Sequence, residues 1–163
     1  MIVGIDPGAH GAIAWLDEMG GLITVEDMPS VQIKVGTKMR TRVSAPMLVS
    51  LFKDWPATTH AFIEKVGAMP GQGTASMFSF GFSAGLIEGA LAGLGIGCTM
   101  VTPQSWKKAM QLRDDKGGAR LRAAQLWPHK APFFARVKDD GRAEAAMIGL
   151  YGAQMRQGFG KAA

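Results

Sequence analysis

The sequence predicts an α/β fold: a three-stranded antiparallel meander, then a helix, a strand, a helix and a strand, closed by further helices. Three features predict it. The opening stretch MIVGIDPGAHGAIAW holds two apolar, strand-length runs around a Pro-Gly turn. Gly20 and Gly21 mark a second tight turn before another apolar run. Beyond residue 44, stretches with helical apolar spacing alternate with short continuous apolar runs, the pattern of strands covered by helices.

With 163 residues, 47% of them hydrophobic, the chain suits one globular domain, placed at 1–157, with 158–163 as a tail expected to fray. A formal net charge of +5 favours a polyanionic partner over a neutral metabolite. The only cysteine, Cys98, excludes an intramolecular disulfide; it lies in the apolar run 94–101 and reads as a buried thiol in a reducing compartment. There is no basic-then-apolar leader and no run of 18 uninterrupted apolar residues, so a cytoplasmic protein without a membrane partner is expected.

In order, residues 2–5 read as a fully buried strand that delivers Asp6 to a turn at Pro7 and Gly8, and 11–16 return as the second strand. An acid so placed is a cap, a turn residue or a metal ligand. Residues 22–28 give the third strand. The stretch 31–44 carries Lys34, Lys38, Arg40 and Arg42 with no acid among them, a basic loop or ribbon that serves either as a charge-protected edge or as a phosphate-contacting arm. Ser44 can cap a helix through Trp55, with Met47, Leu48, Leu51 and Phe52 as its apolar positions and Pro56 as its stop. Residues 60–66 form a strand with a lone acid, Glu64, at its end.

An irregular loop at 69–73 leads to a long helix at 74–94. Its glycines, Gly81, Gly85, Gly89 and Gly93, fall four apart and leave one face without side chains, against which another element of the same domain or a helix of a second subunit can pack closely. Residues 95–101 are the fifth strand, and Thr102, Pro103 and Gln104 open a short helix carrying Trp106, Lys107 and Lys108. Residues 114–127 read as a helix with Leu121, Ala124 and Leu126 turned inward and Lys116, Arg120 and Arg122 elsewhere; 128–138 are a connector. The last helix runs from Asp139 and Asp140 to about Gln154. Asp140 and Glu144 stack on one face, a repulsion that calls for a nearby cation, while Asp139 falls at the N-cap.

A carboxylate buried without compensation is costly, and Asp6 and Glu64 are neighbours if their strands lie side by side; a divalent cation is the usual remedy. The order of elements and acids resembles the ribonuclease H-like superfamily and, within it, the RuvC-type Holliday-junction resolvases, especially their phage-encoded and organellar branch. The likeness is carried by GIDPG at 4–8, IEKV at 63–66, MPGQG with SMFSFG at 69–81, TPQSWK at 102–107, DKGGAR at 115–120 and DGRAEA at 140–145.

This resemblance implies a five-stranded mixed sheet, three antiparallel strands then two parallel, flanked by helices. It implies four metal-binding acids, Asp6, Glu64, Asp140 and Glu144, with Glu standing at the last position where many relatives have Asp. Lys116 matches a lysine that in similar proteins points toward the scissile phosphate; as a bare residue it also reads as a solvated lysine at a helix start. Lys34, Lys38, Arg40, Arg42, Lys107, Lys108 and Arg120 are the expected DNA contacts. The chemistry implied is phosphodiester hydrolysis with two Mg²⁺ ions per site, Mn²⁺ substituting, by a homodimer that nicks opposing strands of branched DNA. A phage or prophage protein at work in a bacterial host is the matching setting. Two other functions share these residues: a nuclease of the same superfamily acting on RNA or on flaps and forks, and a non-catalytic nucleic-acid-binding module. His10, His60 and His129 are scattered and supply no nucleophile arrangement.

Overall fold

The computed structural model describes residues 1–65, 67, 71, 73–112 and 117–159, the last by its backbone alone. Its centre is a five-stranded mixed sheet in the order β3-β2-β1-β6-β7. Strands β1 (Ile2–Asp6), β2 (Ala12–Leu16) and β3 (Leu22–Asp27) form the antiparallel meander. A separate antiparallel ribbon follows, β4 (Ser30–Val35) paired with β5 (Lys38–Val43), so the basic stretch is a hairpin. After α1 (Ala45–Phe52), β6 (His60–Glu64) runs parallel to β1; after α2 (Thr74–Gly93), β7 (Gly97–Val101) runs parallel to β6. The short α3 (Pro103–Ala109), α4 (Gly118–Leu126), two 3₁₀ turns (Pro128–Phe134 and Val137–Asp139) and α5 (Asp140–Phe159) complete the chain.

The period-two alternation of a strand sorts the core into two layers. Val3 and Ile5 of β1, with Ala61 and Ile63 of β6, pack with Leu48 and Phe52 of α1 and Ile87 and Leu91 of α2. Ile2 and Phe62 face the other way, toward Ala145, Ala146 and Ile148 of α5. On that side the backbones meet. A Cβ at Gly4 would fall on the carbonyl oxygen of Ala145 and the backbone nitrogen of Gly149, so only glycine lets α5 lie this close to β1. Because Gly4 and Asp6 share a face of β1, and Phe62 and Glu64 share a face of β6, both acids emerge on the α5 side.

Several boundaries differ from the sequence expectations. Helix α1 ends at Phe52 rather than Trp55: the Trp55 N–H bonds Phe52 O in a tight turn ahead of Pro56, and the Trp55 ring packs on Phe52 and Trp15. Helix α4 begins at Gly118, directly after Gly117 with its φ of 86°, and 114–116 of the expected helix lie outside the described residues. Leu121, expected inward, is 64% exposed, and Ala123 is the residue buried. Gly95, with φ of 71°, delays β7 to Gly97. Helix α5 continues past Gln154 to Phe159, while 160–163 lie outside the described residues. Cys98 is half-buried rather than buried, and burial pushes its thiol pKa up.

Of the two readings of the glycine face of α2, packing within the domain is not observed among the described residues. A Cβ at Gly81, Gly85, Gly89 or Gly93 would meet nothing within 4 Å, so no described element of the domain packs there. Only Ser83, Ala84, Ile87 and Leu91 of α2 are buried. By length and composition α2 is apolar enough to cross a membrane.

Candidate active site

Asp6 sits where β1 ends, its Oδ1 accepting the Gly8 backbone N–H at 3.2 Å across the Pro7 turn. Parallel pairing of β1 and β6 through Ile5 and Ile63 leaves Asp6 and Glu64 side by side at the same end of the sheet. The first turns of α5 close the site from above. A Cβ at Gly141 would come within 3.0 Å of Asp6 Oδ2 and 2.8 Å of the His10 carbonyl, so this glycine allows the helix start to descend onto the β1 turn.

The acids share burial and repel one another. Asp6 has its pKa pushed up to about 7 by burial, then by the Glu144 charge, with Glu64 adding to the effect. Burial also raises Glu64, partly opposed by a hydrogen bond from Trp106, and raises Glu144, opposed first by Lys107 and reinforced by Glu64 and Asp140. The charges of Glu64 and Glu144 thus act on Asp6, and those of Glu64 and Asp140 on Glu144.

The cation called for beside Asp140 and Glu144 is present twice over. Arg120 Nε donates to Asp140 Oδ1 at 2.7 Å, and Lys107 Nζ lies 3.9 Å from Glu144 Oε1. Two residues expected as DNA contacts thus pair with the acids, whereas Lys108 and the four ribbon cations are exposed. Trp106, to which the sequence reading gave no role, is fully buried and donates its indole N–H to Glu64 Oε1 at 3.0 Å, while Lys107 Nζ stands 5.3 Å from the indole centroid. The tryptophan thereby orients Glu64 and seats Lys107. Its only sequence signal is its place in TPQSWK. Lys116 lies outside the described residues, as do Met69, Pro70 and Gln72 of the MPGQG motif.

Asp139 is not the N-cap of α5. It is 1% exposed and faces backward, accepting the Arg136 backbone N–H at 2.8 Å and its guanidinium at 2.8 Å, with Arg142 3.9 Å away. Burial raises its pKa but these bonds outweigh it, and the net shift is downward. The 3₁₀ turn at Val137–Asp139 explains the difference, because Asp140 already begins the α-helix and Asp139 closes the turn before it. Asp140 remains the residue stacked with Glu144.

An oxygen-only set in which the charges of Glu64 and Glu144 raise Asp6, and those of Glu64 and Asp140 raise Glu144, fits a hard divalent cation, whose charge would relieve the repulsion. Among the described residues no three such side chains are drawn together tightly enough to enclose an ion: Asp140 is turned to Arg120 and Glu64 to Trp106.

No family model matches the sequence. The chloroplastic Holliday junction resolvase MOC1 of Chlamydomonas reinhardtii is 29% identical over 109 residues, which cover 64% of this chain and 12% of that protein. The chain thus spans about an eighth of the length of that relative. RuvC of Thermus thermophilus superposes with a TM-score of 0.58 at 15% identity, covering 97% of both chains. The same protein in complex with a Holliday junction substrate gives 0.55 at 14% identity, covering 95% of this chain and 96% of that one. This chain has the RuvC fold.

Proposed function

We propose that this chain is a metal-dependent endodeoxyribonuclease that resolves four-way DNA junctions by paired, symmetrical nicks. The observation that carries the proposal is the set of mutually repelling, half-buried acids Asp6, Glu64 and Glu144 at the shared end of β1, β6 and α5. The similarity to a Holliday junction resolvase and the fold shared with RuvC support the choice of substrate.

Asp6, Glu64, Asp140 and Glu144 would hold Mg²⁺, two ions per site, with Mn²⁺ substituting. Bound there, the ions would supply hydroxide at neutral pH and neutralise the phosphate and the leaving 3′ oxygen. The protein's own part is positional. Asp6 is fixed by the Gly8 N–H and Glu64 by Trp106, so neither must be ordered when substrate arrives. Lys107 and Arg120 offset the acids' charge and stand ready to exchange their carboxylate partners for phosphate oxygens. Lys34, Lys38, Arg40 and Arg42 on the ribbon, with Lys108, would hold the flanking backbone by charge alone. Lys116 is proposed as a further phosphate contact.

Cutting two opposing strands needs two sites, and α2, long, apolar and open along its glycine face, is the proposed homodimer surface. A phage or prophage protein working in the bacterial cytoplasm is part of the same reading.

The test is end-labelled mobile four-way junction, flap, duplex and RNA/DNA hybrid, each incubated with Mg²⁺. Paired nicks in opposing junction strands, leaving 5′ phosphates, are expected. Asp6→Asn and Glu64→Gln should lower cleavage by about three orders of magnitude or more with junction binding intact. Cutting confined to the hybrid, the flap or RNA would replace this reading with the broader superfamily nuclease. Binding with no cutting on any substrate would leave a binding module.

A further inference from the structure

The ribbon and the first turns of α2 enclose a groove of about 770 Å³ that the acid site does not use. Cross-strand pairing dictates its composition. In β4 and β5, Val31 opposes Arg42, Ile33 opposes Arg40 and Val35 opposes Lys38. Residues directly opposite share a face, so one side of the ribbon carries an apolar row beside a row of three cations. That side meets α2: the Arg42 guanidinium lies 4.1 Å from the centroid of the Phe82 ring. Phe78, one turn earlier on the same face, is 75% exposed, an unusual state for a phenylalanine. Among the described residues no Asp or Glu lines the groove, while Arg40, Arg42 and His10 do.

The groove opens beside the proposed cutting site. Phe80 lines it, and a Cβ at Gly8 would stand 3.7 Å from the Phe80 ring and 3.6 Å from Asp6 Oδ1, so ring and carboxylate flank a single residue. A surface that offers the aromatic rings of Phe78 and Phe82 beside one row of cations, with no acid lining it among the described residues, matches an anionic chain with exposed planar rings. A paired duplex hides its ring faces and cannot use Phe78 or Phe82.

We propose that this groove binds unpaired DNA, stacking the bases of one strand on Phe78 and Phe82 while Lys38, Arg40 and Arg42 track its phosphates. The inference rests on the nuclease reading only for its purpose, which is to hold opened nucleotides beside the strand to be cut. Strand binding itself needs neither metal nor cleavage.

The experiment is therefore done in EDTA, by fluorescence anisotropy with labelled dT12, an abasic 12-mer of the same charge and a 12-base-pair duplex. The wild-type protein should bind dT12 about tenfold tighter than the abasic strand or the duplex. Phe78→Ala, a change at an exposed position, should remove that preference and leave abasic binding unchanged. Arg40→Gln should weaken the two single strands equally and lower the salt dependence by about one unit of slope. Equal affinity for dT12 and the abasic strand, or an unchanged dT12 affinity in Phe78→Ala, would overturn the proposal. So would a Phe78→Ala protein that drops from dimer to monomer in light scattering with no dT12 binding in the wild type, which would make the groove a subunit contact. Loss of junction cutting with dT12 preference retained would count against the nuclease reading alone.

Discussion

The two faces of the central sheet are covered by helices of opposite character. On one, α5 lies so close to β1 that Gly4 and Gly149 touch backbone to backbone, and the acids stand at the rim of that contact. On the other, α2 buries four side chains and leaves its glycines, Phe78 and most of its length in the open. Glycine does different work on each. Beneath α5 it permits the close approach that sets Gly141 over Asp6; along α2 it keeps a surface low and flat with nothing upon it among the described residues. Rigid packing suits a site whose geometry must persist, and an open apolar face suits one that is completed by something else.

The largest test of this contrast is Gly4→Ala. Its methyl group would occupy the space of the Ala145 carbonyl and the Gly149 nitrogen, neither of which can move without unseating α5. A loss of more than about 3 kcal/mol in urea denaturation is expected, enough to consume much of the stability of a small domain. A loss below about 1 kcal/mol would mean that α5 is not docked on β1 as described.

A second test uses proton binding, which concentrates on the α5 side. Asp6 has a folded pKa of about 7 against a reference value of 3.8, and Glu64 and Glu144 are raised as well. Between about pH 4 and 7 the folded state therefore holds more protons than the unfolded one, so stability falls as pH rises through that window and levels above it. For Asp6 alone the fall is at most about 4 kcal/mol, less whatever the site recovers by relaxing. Denaturation in EDTA at pH 5 and pH 8 should show it, Asp6→Asn should flatten most of it, and Mg²⁺ should restore stability at pH 8. A profile that is flat for the wild type, or that slopes the other way, would sink the claim that these carboxylates are crowded together.

What the sequence made legible follows from the reach of each signal. Strand β1 and the acid at its end were readable because the pattern is local, and so was the basic hairpin, whose cations lie within ten residues of one another. Asp140 could be preferred over Asp139 because residues four apart share a helix face. The N-cap expectation for Asp139 does not hold, because a 3₁₀ turn, which leaves no local pattern in the sequence, precedes the helix and takes up its carboxylate. Contacts between distant segments were beyond reach: Trp106 lies 42 residues from Glu64 and Arg120 lies 20 from Asp140, and no periodicity encodes which way those side chains turn. Leu121 and the glycine face misled for a related reason. An apolar or small residue states what a surface can bury, and only the assembled fold states whether anything covers it.

The smallest effect is also the one that distinguishes the two faces most directly. Gly85→Ala and Gly89→Ala on α2 add methyl groups into open space, where nothing lies within 4 Å of either. Alanine in a helix interior is favoured over glycine by about 0.5–1 kcal/mol per site, so each variant should be more stable than the wild type at dilutions where the protein is monomeric. The same two methyl groups would hold apart any helix seated on that face, because close approach there depends on the missing side chains. Light scattering at micromolar concentration should then report a lower mass for the double variant than for the wild type, even though its monomer resists urea better. Higher stability with an unchanged dimer would place the subunit contact elsewhere. Lower stability in the monomer would mean that the glycines are held against something on their own chain, and the contrast between the two helices would fail.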